Sequence, residues 1–161
     1  MRRIGLAVLC AVLLVGGTVS SALATTTRIH TSTPPQGFVV LDPGVWTMNG
    51  TVQSVRGLVA REDGTWNNVY ADGPAINTIN WDIDLATGGG SMWGTGVHTP
   101  TAFPGAQWLC AFHATFKDFG FTGKGVCQGT GPLHTWQWRV NLTAAAGQGT
   151  AADGYIFKPG D

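Results

Sequence analysis

Gln107-Trp108-Leu109-Cys110-Ala111-Phe112-His113-Ala114-Thr115-Phe116 and Phe121-Thr122-Gly123-Lys124-Gly125-Val126-Cys127-Gln128-Gly129, joined by Lys117-Asp118-Phe119-Gly120, decide how this chain folds. Set as an antiparallel hairpin around that tetrapeptide, they place Cys110 opposite Cys127, Phe112 opposite Gly125, Ala114 opposite Gly123 and Phe116 opposite Phe121. Directly opposed side chains lie close enough for a disulfide. An aromatic ring facing a glycine covers bare backbone. One register therefore satisfies two independent requirements. Because side chains alternate along a strand, Cys110, Phe112, Ala114 and Phe116 then look toward the core. Ala111, His113 and Thr115 share the wet face with Thr122, Lys124 and Gln128.

The same alternation continues on both sides of the hairpin. Across residues 133–143, Trp136, Trp138, Val140 and Leu142 lie opposite Thr135, Gln137, Arg139 and Asn141; across 75–85, Ile79, Trp81, Ile83 and Leu85 lie opposite Asn80, Asp82 and Asp84. Strands are expected at 37–41, 45–60, 65–70, 75–85, 91–99, 107–116, 121–129, 133–143 and 152–158, with almost no helical periodicity after the N-terminal segment. Asp42-Pro43-Gly44, Asp72-Gly73-Pro74 and Gly88-Gly89-Gly90 punctuate them, and Asp63-Gly64 is the strongest hairpin signal. Residues 99–106, with two prolines and a glycine, should form the longest loop. Gly94, Gly96, Gly123 and Gly125 sit inside strands, which favours strong coiling. The expected fold is all-β: a single antiparallel meander closing into a small, about eight-stranded β-barrel, with a two-sheet β-sandwich as the alternative. In architecture alone this layout resembles the small secreted barrels of the lipocalin, streptavidin and allene-oxide-cyclase kind; no residue role or activity is carried over.

The N-terminus sets the expected compartment. Met1-Arg2-Arg3, an apolar run from Ile4 to Val15 and Ala22-Leu23-Ala24 have the layout of a secretory signal peptide over residues 1–24. The apolar run is short of the ~20 residues a spanning helix needs, so no transmembrane segment is expected in the mature chain. Residues 25–36, rich in Thr, Ser and Pro, read as a flexible leader, and residues 37–161 as a single domain. Cleavage would remove Cys10 and leave Cys110 and Cys127, an even pair suited to one disulfide in an oxidising compartment. It would also leave seven basic against nine acidic residues, a net charge of −2, with no basic patch for nucleic acid.

Six residues are candidates for a ligand site. His134 shares the parity of Trp136 and Trp138 and should point inward at a strand end. His98 ends a strand beside the long loop. Trp81, Trp136 and Trp138 would line the interior of a barrel wide enough for one small ligand. Arg56 shares the parity of Trp46, Met48, Val52 and Leu58, so either a bulge between Gly50 and Gly57 turns it outward or its guanidinium meets an anion inside. Asp82 and Asp84 fall on the wet face without metal-site spacing, and no metal site or cofactor is expected. No nucleophile elbow, zinc-binding or phosphate-cradling motif is present. Glu62, the sole glutamate, adjoins the Asp63-Gly64 turn, so a pair of catalytic glutamates is unavailable. Asn49-Gly50-Thr51 and Asn141-Leu142-Thr143 match the glycosylation sequon. The expected function is that of a secreted, non-catalytic barrel binding a small apolar or sugar-like molecule. The alternatives are a barrel enzyme of isomerase, cyclase or hydrolase type using an inward histidine, and a structural protein of the cell envelope.

Overall fold

The structure is a computed structural model that describes residues 26–160. The signal-peptide reading of residues 1–24 lies outside the described residues. Ten strands follow one another: β1 (Thr27–Gln36), β2 (Val39–Asp42), β3 (Val45–Asn49), β4 (Val52–Gly64), β5 (Gly73–Asp84), β6 (Gly89–His98), β7 (Trp108–Lys117), β8 (Gly120–Gly129), β9 (Gln137–Ala144) and β10 (Thr150–Lys158). All pair antiparallel in one sheet, in the order β1-β10-β9-β8-β7-β6-β5-β4-β2, with β3 also paired to β4. From β4 to β10 this is a meander of sequential neighbours.

The β7–β8 hairpin has the expected register throughout, with Cys110 opposite and bonded to Cys127. Lys117 pairs with Gly120, which leaves a two-residue turn of Asp118 and Phe119, both at positive φ (51° and 63°). Such a turn follows the right-handed twist of the strands it joins. Phe112 is flanked by glycine on both sides, Gly94 of β6 and Gly125 of β8. Its ring lies over Gly94, where a Cβ would stand 2.5 Å from Phe112 Cζ.

The sheet coils strongly. Three ladders separate β6 from β9, about 14 Å on a flat sheet, yet the rings of His98 and Trp138 have centroids 5.3 Å apart. The ladder does not run on into a closed barrel. At the seam, Asn67 N donates to Ser32 O (3.0 Å), Ser32 N to Asn67 Oδ1 (2.7 Å) and Gln36 Nε2 to Thr65 O (3.2 Å). Deeper in, Trp138 Nε1 donates to the buried Thr31 Oγ1 (3.0 Å). The bonds to Thr65 and Asn67 hold β1 against the residues that follow β4, without a continuous backbone ladder, and the bond from Trp138 ties β1 to β9. Residues 27–36 are thus a strand of the sheet, paired along β10 from Thr27–Lys158 to Gln36–Thr150, and not a loose leader. The β-branched Thr27, Ile29, Thr31 and Thr33 suit a strand once a neighbour supplies the hydrogen bonds.

β2 and β3 line the same edge of β4, from Val39–Arg61 to Asn49–Val52. The break between them falls at Pro43-Gly44, opposite an irregularity of β4 between Val55 and Leu58. Gly44 (φ 67°) is needed there because a Cβ would stand 2.4 Å from Arg56 O. Val39, Leu41, Val45, Trp46 and Met48 on this edge are all exposed.

Two further expectations are corrected. Asp63-Gly64 is not a hairpin turn: both residues belong to β4 and pair with Pro74 and Gly73. Nor are residues 65–70 a strand. The true connection is 65–72, where Asp72 Oδ1 accepts from Trp66 N and Asn68 Oδ1 from Tyr70 N, both at 3.0 Å. Side-chain acceptors of this kind draw backbone donors away from a ladder. This loop brings Trp66, Tyr70 and the buried Ala71 onto the core formed by Trp108, Leu133, Trp138 and Ile156 at one end of the sheet. A second core, of Val55, Leu58, Ile79 and Met92, lies toward the other end. Among the described residues no helix is long and apolar enough to cross a membrane.

Candidate functional site

Between the two cores the coiled sheet encloses a cavity of about 410 Å³. β5 supplies one wall with Ile79, Trp81 and Ile83, and β7 and β8 supply another with Phe112, Phe116 and Phe121. Trp66, His98 and Trp138 line the far end. Phe38, Leu85 and Phe119 line it as well and are partly exposed, which marks where it meets solvent. A concave apolar space with a few converging polar groups is the usual form of a small-molecule site.

The polar groups come from three neighbouring strands. Glu62 of β4 is paired with Ala75 of β5, and Ala75 in turn with His98 of β6. Glu62 and His98 thus stand at one level of the inner face, about 10 Å apart between backbones, with only a methyl group between them. Asn77 follows on the same face, and its side chain lies over Gly96, where a Cβ would stand 2.1 Å from Asn77 Oδ1. Burial raises the Glu62 pKa above the ordinary carboxylate value, and the hydrogen bond to Asn77 opposes that rise in part. Among the described residues neither Lys nor Arg lines the cavity, and Glu62 is the one carboxylate that does. The adjacent Arg61 and Asp63 point outward and bond each other, Nη2 to Oδ1 at 2.7 Å.

His98 is 5% exposed, and its Nε2–H donates to Ala71 O of the 65–72 loop. Burial lowers its pKa to about 4, against the weaker pull of that carbonyl and of Asp72. Trp66 and Trp138 meet its ring edge to face, with centroids 6.2 and 5.3 Å away. It is therefore a neutral histidine with its proton committed to the loop.

Of the sequence candidates, Trp81, Trp138 and His98 line the cavity, and Arg56, Trp136 and His134 do not. The bulge between Val55 and Leu58 turns Arg56 outward, where Nη2 bonds Asp82 Oδ1 (2.8 Å) and Oδ2 (2.9 Å) and the guanidinium stacks over Trp93 at 4.8 Å. His134 follows a 3-10 turn (Gly131–Leu133) in place of the expected strand start, and its side chain is exposed. Pro132 favours that turn and β9 begins only at Gln137, so parity does not extend back to His134. Trp136 packs beyond the closed end against Tyr70 (4.9 Å) and beneath Lys158 Nζ (5.5 Å).

Glu62 and Asn77 are the site residues that sequence reasoning missed. Leu58, Ala60 and Glu62 alternate with Val59, Arg61 and Asp63, and this pattern carries Glu62 to the inner face. The turn assigned to Asp63-Gly64 hid it. Among the described residues no group of three His, Cys, Asp or Glu side chains is placed to hold a metal ion. No family model matches this chain, and neither a curated protein nor a solved structure matches it.

Proposed function

We propose that this chain is an extracytoplasmic, non-catalytic protein that binds a small, largely apolar molecule inside its coiled sheet. The observation that carries the reading is the ~410 Å³ cavity, walled by aromatic and aliphatic side chains and joined to solvent past Phe38, Leu85 and Phe119. A well-packed core of this size has few voids larger than a water molecule, so a space of these dimensions needs a reason. A sugar would need many polar partners, and the walls offer few, chiefly Gln53, Glu62, Asn77 and Thr150. That balance favours an apolar body with one or two polar groups. The Cys110–Cys127 bond is compatible with an oxidising compartment. His98 gives the enzyme alternative less support than its place in the wall suggests, since its Nε2 proton is held by Ala71 O.

The test is fluorescence of the neutral probe N-phenyl-1-naphthylamine. The protein should raise and blue-shift its emission saturably. Ala75→Phe, which fills the gap between Glu62 and His98, should abolish that response while thermal unfolding stays cooperative. A probe response that survives the plug would place binding elsewhere, and no response at all would remove the reading.

A further inference from the structure

Glu62 is the least economical residue of the cavity. An apolar enclosure disfavours an ionised carboxylate, and a glutamine would keep the hydrogen bond to Asn77 without the charge. Among the described residues no cationic side chain lines the cavity to offset that charge: Arg61 pairs outward with Asp63, and Arg56 with Asp82. Three kinds of surroundings face the carboxyl group. Asn77 of β5 bonds it, His98 stands across Ala75 on β6, and the rings of Phe38 and Trp66 line the same cavity. Further along, Trp81, Phe112 and Trp138 add aromatic surface. Aromatic faces attract cations, and a desolvated carboxylate is the strongest partner a buried ammonium can find.

Resting on the binding function proposed above, we infer that the cavity selects an organic amine: a ligand whose ammonium group pairs with Glu62 and whose apolar body lies among the aromatic rings. The ligand itself then supplies the missing countercharge. Asn77, the hydrogen-bond partner of the carboxyl group on the neighbouring strand, favours its ionised form. His98, neutral at ordinary pH, neither competes for the amine nor repels it. Charge-assisted pairing of this kind distinguishes an amine from the alcohol of the same shape, because only the amine compensates the acid.

The experiment compares three amine–alcohol pairs by isothermal titration calorimetry: cyclohexylmethylamine with cyclohexylmethanol, 1-adamantylmethylamine with its alcohol, and 2-naphthylmethylamine with its alcohol. At pH 7.5 at least one amine should bind about tenfold or more tightly than its alcohol. Glu62→Gln should erase that preference by bringing the amine's affinity down toward that of its alcohol. In the native protein the amine's affinity should rise as pH climbs above the ordinary carboxylate range, where the buried Glu62 carboxyl gives up its proton, while the alcohol's stays flat. His98, which titrates at about 4, contributes nothing to that rise. If Glu62→Gln fails to fold, the native comparison and its pH dependence decide alone. Equal binding of amine and alcohol overturns the amine assignment and leaves the apolar binding function standing. Binding of neither, with no probe response, removes both.

Discussion

His98 of β6 and Trp138 of β9 meet edge to face, centroids 5.3 Å apart, across a sheet in which two whole strands lie between them. The contact ties the coiling of the sheet to the ionisation of one imidazole. In the folded chain the His98 pKa falls to about 4, chiefly through burial; unfolded, it returns to about 6.5. Between those values the unfolded chain binds the extra proton. Stability is therefore complete above pH 6.5 and declines as pH falls toward 4, by about 3 kcal/mol from this group. Urea unfolding from pH 7 to pH 4 should show that slope. His98→Gln should be less stable at pH 7 and should lose much of the pH dependence. An unchanged slope in the variant would show that carboxylates, not His98, govern acid lability.

The Cys110–Cys127 bond closes a ring of 17 residues' separation across one strand pair. In the chain-entropy account a ring of that length contributes about 3 kcal/mol by restricting the unfolded chain. The double variant Cys110→Ala, Cys127→Ala should lower the urea midpoint accordingly with little change in slope. Mild reduction of the native protein should have the same effect.

Where hydrogen bonding is local and side chains alternate, the sequence was legible. The β7–β8 register follows from Cys110, Cys127 and the glycines facing Phe112 and Ala114, and it holds pair by pair. The faces of β5 and β9 follow from parity in the same way. Legibility failed where backbone conformation depended on distant partners. Asp63-Gly64 has the chemistry of a turn, but Pro74 and Gly73 extend the ladder past it, and Glu62 is carried inward as a result. The polar stretch 27–36 becomes β1 only because β10 offers its edge. A cavity is also invisible to alternation, which separates inside from outside but not filled from hollow. That is why Trp81 and Trp138 could be named as candidates while Asn77 could not.

Arg56 tests the difference between a ligand contact and a surface support. Its bidentate pairing with Asp82, itself held by Ser54 Oγ, lies outside the cavity, and both side chains are well exposed. Exposed ion pairs contribute little, here about 1 kcal/mol or less. Arg56→Ala should lower stability by no more than that and leave N-phenyl-1-naphthylamine binding unchanged. A double-mutant cycle with Asp82→Ala should give a coupling below about 1 kcal/mol. Loss of probe binding in Arg56→Ala would return the guanidinium to the site.

Phe119 joins a strained backbone to the rim of the cavity. At φ 63° it occupies a conformation that suits glycine, and it follows Asp118 at φ 51° in the β7–β8 turn. A bulky residue there costs about 1 kcal/mol or more. The turn is held against the neighbouring β5–β6 connection by Phe119 N, which donates to Gly88 O at 3.1 Å. A Cβ on Gly88 would stand 2.7 Å from the Phe119 ring, so the ring sits directly over that glycine. About half exposed, the ring also lines the cavity where it meets solvent. A glycine would relieve the backbone and preserve the Gly88 hydrogen bond, since only the side chain changes. Phe119→Gly should therefore raise the thermal midpoint modestly, or at least leave it unchanged. It should also speed release of N-phenyl-1-naphthylamine severalfold in stopped-flow displacement. Faster release with undiminished stability assigns the phenyl ring to retaining the ligand. A fall in stability with unchanged release would instead make the ring a packing element of the turn.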